Sequence, residues 1–234
     1  MCIRDSFYMD KLSLLESVPI FSDLSKSDLT KIAERMTHRK FNKNQMILLE
    51  DDLGQTFFVI AKGSVKITRL SDDGREVILA MLGEADFFGE MSLLDGDGRS
   101  ANVVSLEASE VLTLARNEFL DILEQYPKIS ICLLEELTHR LRKSDQQIES
   151  LSLSDVEQRI GITLIRLAEE LGTIKQGSVK INNLPFQQDI ANMAGTSRET
   201  VSRTFKLLEE KGLLSRKGRQ LLIYNFSQFS KTFS

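Results

Sequence analysis

At 234 residues, 41% apolar and 27% charged, the chain has the composition of an ordinary globular protein of one or two domains. It has no apolar run near the roughly 20 residues that cross a bilayer and no apolar stretch of a signal peptide in its first ten residues, so a cytoplasmic protein without membrane partners is expected. Two cysteines (Cys2, Cys132) and two histidines (His38, His139) are too few for a disulfide framework or an iron–sulfur cluster, and no metal, haem or cluster is expected.

The formal charge of −4 is unevenly spread. Residues 1–155 carry −9 and residues 156–234 carry +5, the asymmetry of a chain whose second part meets a polyanion. The opening MCIRDS resembles translated adapter sequence, which makes Met9 the expected native start.

In chain order, LSLLESVPIFSDLSKSDLTKIAERM predicts short helices with Ser25 and Ser27 available as caps. From Gly54 to about Phe119 the texture is β. TFFVIAKGSVKITRL turns at Lys62-Gly63, and DDG at 72–74 marks a hairpin. Glycines 54, 63, 74, 83 and 89 break short strands at intervals of about ten residues, which suggests a sandwich or jelly roll. Within it, GEMSLLDGDGRSA (89–101) sets Glu90 and Arg99 either side of a glycine-rich bend. Two readings stand: a polar pocket for a ligand carrying an anion and a hydroxyl, or a mutual ion pair.

Pro127 suits the first turn of a helix. Leu134, Leu137, Leu141, Ser144, Ile148 and Leu151 follow at spacings of 3 and 4, a heptad seam that predicts a helix pair between two copies, with a lone helix packed on its own domain as the alternative. Ser154 and Glu157 fit a capping box for the next helix, which puts a hinge at 152–155, and Gly172 ends that helix. A polar, glycine-containing stretch leads to Asn183.

PFQQDIANMAGTSRETVSRTFKLLEEKGLL is the most specific stretch. Pro185 is expected to open a short helix that includes Gln187. Small Ala191 permits a close crossing, and Gly195 takes a left-handed turn. A second helix starting near Thr196 or Ser197 buries Val201, Phe205 and Leu208. That leaves Arg198, Glu199, Ser202 and Arg203 outward, where a recognition helix meets base edges. Arginine can bind guanine O6 and N7 with two hydrogen bonds, and a carboxylate accepts from cytosine N4; alternatively Thr196-x-x-Glu199 is a capping box. LLSRKGRQLLIYN reads as a hairpin wing around Lys217-Gly218, with Arg216, Lys217 and Arg219 near phosphates.

This combination resembles the CRP/FNR family of bacterial transcription regulators over roughly residues 9–225. It rests on G-E-M-S-L…G-R-S-A (89–101), on the seam helix and on S-R-E-T-V-S-R (197–203). The resemblance implies an α+β chain in three parts: a jelly-roll (β-roll) sensor domain over 9–126, a dimerisation helix and hinge over 127–154, and a winged helix-turn-helix domain over 155–234. It also implies a cyclic nucleotide effector, cAMP first. Arg99, Ser100 and the amides of Gly89, Met91 and Ser92 would hold the cyclic phosphate, Glu90 the ribose 2′-hydroxyl, and Ser144 and Asp145 the base. Asp145 departs from the usual small hydroxyl residue, which keeps cGMP and a cyclic dinucleotide open as well as a site that has lost its ligand.

For DNA, the resemblance assigns contacts to Gln187, Ser197, Arg198, Glu199, Ser202, Arg203 and Lys217. Arg198, Glu199 and Arg203 look like the TGTGA-reading set, and Ser202 matches a position of the TTGAT-reading branch. The implied partners are a palindromic duplex, a second copy of the chain and RNA polymerase. A regulator that is ligand-independent or senses another effector is the alternative. No nucleophile–base pair or phosphate-transfer loop points to an enzyme.

Overall fold

The computed structural model describes residues 11–233; the expected boundaries at 9 and 234 and the expected start at Met9 lie outside them. The described chain divides within its longest helix, after Leu141, into two compact units.

The first unit is built on period-two strands buried on both faces. Strand β3 (Thr56–Lys62) alternates Phe57 and Val59 toward one core with Phe58 and Ile60 toward another. Strand β8 (Ser109–Ala115) repeats the pattern, with Leu112 and Leu114 on the first side and Val111 on the second. These two pair antiparallel at the centre of a sheet ordered β1-β8-β3-β6, with β1 at Thr37–Phe41 and β6 at Phe87–Phe88. The second sheet, β2-β7-β4-β5, comprises Met46–Leu48, Asn102–Ser105, Val65–Leu70 and Glu76–Leu82. These strands in two sheets are the jelly roll expected, and the 72–74 turn joins β4 to β5 with Gly74 at positive φ.

Helices cover the first sheet. A helix over 11–17 (α1), α2 (Lys26–Arg35), α4 (Arg116–Gln125) and the start of α5 (Pro127–Leu153) bury Leu15, Ile32, Phe119 and Ile129 against Phe57 and Val59. Phe57 and Phe119 stack at 4.5 Å. Ser25 caps α2 as expected, its Oγ accepting from the Asp28 amide. The short α3 (Met91–Leu94) follows directly on β6.

Helix α5 begins at Pro127 and runs for 27 residues. Leu134, Leu141 and Ile148 are 64%, 62% and 62% exposed, an apolar row left without cover in one chain. Leu137, counted in the predicted seam, packs instead on the core of the first unit, so the open row runs through Ile131, Leu134, Leu141 and Ile148.

In the second unit, α6 (Val156–Leu171) is followed by the hairpin β9 (Gly172–Lys175) and β10 (Ser178–Ile181), then α7 (Gln187–Ala194), α8 (Arg198–Glu210), the hairpin β11 (Leu214–Lys217) and β12 (Gln220–Ile223), and α9 (Phe226–Phe233). The strands form one sheet ordered β11-β12-β10-β9, so the polar stretch before Asn183 is half of the wing sheet. Two expected boundaries move. Asp155, not Ser154, caps α6, accepting from the Gln158 amide at 2.8 Å, because α5 remains helical to Leu153. Helix α7 starts at Gln187 with Phe186 as N-cap, two residues after Pro185.

Gly161 on α6 has no room for a side chain because the Phe233 ring of α9 occupies that space. Gly161→Val should therefore overpack the α6–α9 contact and cost about 1–3 kcal/mol, read from the denaturant midpoint.

Candidate functional site

The first cluster lies where β6 runs into α3. Gly89 takes φ +85 and turns the chain so that Glu90 and Ser92 are buried. Glu90 is 2% exposed and Arg99 5%. The two do not pair. Arg99 spends its guanidinium on the protein: Nη1 donates to Gly89 O and Ser92 Oγ, and Nη2 to Thr56 O, each at 2.8 Å. A Cβ at Gly54 would collide with Ser92 Oγ and reach within 2.9 Å of Arg99 Cζ, so glycine makes room for this arginine. Burial pushes the guanidinium below its usual value, opposed by the charges of Glu90 and Asp52.

Glu90 finds its cation on α5 instead. Arg140 Nη1 donates to Glu90 Oε1 at 3.2 Å, while Nη2 donates to Phe87 O and Nε to Glu136. The Arg140 guanidinium also lies 4.5 Å from the Phe87 ring centroid, a cation–π contact. Of the two readings, the mutual Glu90–Arg99 ion pair is not formed; Glu90 pairs with Arg140, a residue that sequence reasoning missed. Glu90 Oε2 is buried and has no hydrogen-bond partner among the described residues. Burial raises its carboxyl above the ordinary range, against the pull of Arg140.

Of the remaining predicted ligand residues, Met91 and Ser100 meet at the rim, Ser100 Oγ lying 3.7 Å from Met91 Sδ. Gly89, Glu90, Met91, Ser92, Arg99 and Ser100 therefore come together in the first unit. Ser144 and Asp145 stand on α5 beyond Leu141, in the second unit, and both are exposed. Among the described residues there is no group of three metal-ligating side chains, and no helix is long and apolar enough to cross a membrane.

The second cluster is the α7–turn–α8 pair. Gly195 is left-handed at φ 58, ψ 48, and the Thr196 amide returns to Ala191 O at 3.0 Å. Ser197 caps α8 by accepting from the Thr200 amide, so the cap is one residue later than a Thr196 box requires. Val201, Phe205 and Leu208 are fully buried as expected, leaving Arg198, Glu199, Ser202 and Arg203 exposed on the outer face near the helix N-terminus. Glu199 bends back: hydrogen bonds from its own backbone N–H and from Ser197 hold its carboxyl below the usual range. Arg203 Nη2 donates to Thr200 Oγ1 at 3.2 Å. Gln187, half-buried, opens α7.

The wing turns at Gly218, φ 61. Arg216 lies 4.9 Å from the Phe205 ring centroid, and Arg219 lies 4.8 Å from that of Phe186 while donating to Leu184 O. These two arginines clamp the wing to the helices, whereas Lys217 is exposed at its tip.

Comparison with known proteins places each cluster within a known domain family. Residues 38–126 match the cyclic nucleotide-binding domain family and residues 158–231 the Crp-like helix-turn-helix domain. The cyclic AMP receptor protein of Thermus thermophilus is 32% identical over 200 residues, 86% of this chain and 89% of that protein. The cAMP-activated global transcriptional regulator CRP of Haemophilus influenzae is 35% identical over 191 residues, 80% of this chain and 83% of its own. In fold, the c-di-GMP responsive global regulator CLP of Xanthomonas campestris superposes with a TM-score of 0.73 at 24% identity, covering 86% of this chain and 100% of that one.

The buried carboxyl makes a pH-dependent prediction. A glutamate raised above its ordinary value of 4.5 favours the folded state most when protonated. That contribution is full below the unfolded value and is lost as pH rises through the folded one. Glu90→Gln mimics the protonated form, so the ligand-free variant should melt higher than the parent at pH 7. The gap should close as the pH falls below about 4, followed by thermal melts across pH.

Proposed function

Because the chain belongs to the CRP family of transcription regulators, we propose that it is a homodimer whose sequence-specific DNA binding is controlled by a cyclic nucleotide, cAMP first, held in the jelly roll. Members of this family are DNA-binding regulators rather than enzymes, and family membership supports dimer formation and DNA binding for this chain.

The observation that carries the nucleotide reading is Glu90 Oε2, a buried acceptor without a donor. An ionised carboxylate only accepts, and leaving such an atom unpaired costs about 1–3 kcal/mol, so a ligand hydroxyl is the group that satisfies it. A ribose 2′-hydroxyl has that chemistry. Arg99, Ser92 and Ser100, with the amides of Gly89 and Met91, suit the accompanying phosphate. Several relatives are named as cAMP-activated regulators, in keeping with cAMP. Ser144 and Asp145 take the base in this reading. The division of labour is 9–126 for sensing, 127–154 for pairing and 155–234 for DNA.

A second reading has its own observation. Glu90 already holds Arg140 and Arg99 already makes three hydrogen bonds within the protein, the satisfied state of a regulator that needs no nucleotide. Calorimetric titration with cAMP, cGMP and cyclic di-GMP separates the two: heat saturating with one of them supports the first reading, and none with all three supports the second. With the nucleotide that binds, Arg99→Lys should weaken affinity roughly ten- to a hundredfold and leave the sedimentation of the dimer unchanged.

On DNA, the two copies would set paired α8 helices on half-sites one helical turn apart in a TGTGA-like palindrome, with RNA polymerase as the downstream partner in the cytoplasm. Arg203 would read a base edge and Lys217 a phosphate. Arg203→Ala should lower affinity for the selected operator by about 1–3 kcal/mol and relax the preference at one position of each half-site. Selection of operators from randomised DNA by parent and variant reads this directly; identical motifs would remove Arg203 from the base-reading set.

A further inference from the structure

A guanidinium in the second unit joins three parts of the chain. Arg159, half-buried on the first turn of α6, donates through Nη1 to Ser154 O at 3.1 Å, through Nε to Ala194 O at 2.9 Å and through Nη2 to Gly195 O at 3.3 Å. Ser154 is in the two-residue break between α5 and α6. Ala194 and Gly195 close α7, and their carbonyls are of the kind that a helix end leaves without intrahelical partners. Two residues later Ser197 caps the recognition helix α8. One planar side chain thus ties the end of α5 to the turn from which α8 starts.

Its surroundings give that tie weight. A groove of about 700 Å³ lies between the end of α5 and α6, lined by Gln147, Leu151, Ile162, Arg166, Met193 and Phe233, so dense apolar packing does not fix the angle between these helices. Other links between α5 and α6 are the Lys143–Glu170 ion pair at 3.1 Å, which solvent screens, and a 3.4 Å hydrogen bond from Arg166 to Gln147. Leu151 supplies a second firm contact: its Cδ2 is 2.9 Å from where a Cβ on Gly195 would stand. At the far end of α8, Lys211 reaches back to Glu157 on α6 at 2.9 Å.

We propose that Arg159 is a positioning residue for DNA recognition, locking the α7–α8 turn to the α5–α6 junction so that the end of the long helix and the recognition helix move as one body. The proposal rests on the DNA-reading role of α8 and not on which nucleotide, if any, binds the jelly roll.

The test uses the full chain and an operator that the unaltered chain selects from randomised duplexes, with a scrambled duplex of equal length as the non-specific probe. A selection yielding no motif would remove the DNA reading itself, before Arg159 is in question. With an operator in hand, Arg159→Met keeps the aliphatic stem and removes all three donors. Operator affinity should fall roughly ten- to a hundredfold while scrambled-duplex affinity stays within about twofold, because phosphate contacts need less exact placement than base contacts. Amide exchange over residues 191–200 should quicken in the same variant. Should Arg159→Met fail to fold, Arg159→Lys decides the matter: an ammonium that serves one carbonyl at a time should give a smaller loss with the same selectivity for operator. Equal losses on both duplexes, or no loss on the operator, would overturn the proposal in either variant.

Discussion

The first unit is organised around a buried carboxylate that needs a cation. Glu90 is turned inward by Gly89, and the arginine nearest in sequence is already committed to backbone carbonyls and Ser92. Its charge is therefore met by Arg140, fifty positions away on α5. One ion pair, a further donation from the same guanidinium to Phe87 O and a ring contact fasten the middle of the long helix to the rim of the jelly roll. Removing Arg140 would leave the buried Glu90 carboxylate without its cation, whereas Arg140, 29% exposed and also paired with Glu136, does not depend on Glu90 in the same way.

That arrangement makes the pocket and the helix one electrostatic problem. A ligand hydroxyl that gives Glu90 Oε2 its missing hydrogen bond lowers the cost of keeping the carboxylate ionised, and so strengthens its hold on Arg140. A ligand phosphate would draw on the same Arg99 that now holds Gly89 O and Thr56 O. Binding at this site would accordingly act on the neighbourhood of α5 through charges already in contact. The exposed row of Ile131, Leu134, Leu141 and Ile148 on the same helix is the surface that a second copy would cover.

Much of this was legible in the sequence where the signal is local. Period-two burial in TFFVIAK, the Pro127 helix start, the left-handed Gly195 and the buried stripe Val201, Phe205, Leu208 follow from spacing and from backbone preference alone. The misses have physical causes. Arg140 sits in THRLRKSD, where any of four basic side chains fits an exposed helical face, and only the fold shows which one meets Glu90. Ser154 and Asp155 are both good caps, and the choice fell to the residue with extended backbone, φ −71 and ψ 173, once α5 had run to Leu153. The hairpin of β9 and β10 had a signal in Gln176-Gly177 between Ile174 and Val179, but its strands are short and polar outside. Arg216 and Arg219 look like free cations in sequence and are held by Phe205 and Phe186 in space.

The energetics of control decide what the second unit must be. A ligand with a hundredfold preference for the DNA-competent arrangement supplies only about 2.7 kcal/mol, and it shifts nothing unless the two arrangements differ in contacts it makes. So small a bias survives the distance to the DNA only if little of it is dissipated in loose joints. The wing is clamped by two guanidinium–ring contacts, and the α7–α8 turn is held by Arg159 and Leu151. Between Leu153 and Val156, where the chain leaves one helix for the next, only Ser154 and Asp155 intervene, and the Asp155 cap and the Arg159 bridge set their course. A joint that short, held by a cap and a guanidinium bridge, would carry a rotation of the end of the long helix into the helix-turn-helix.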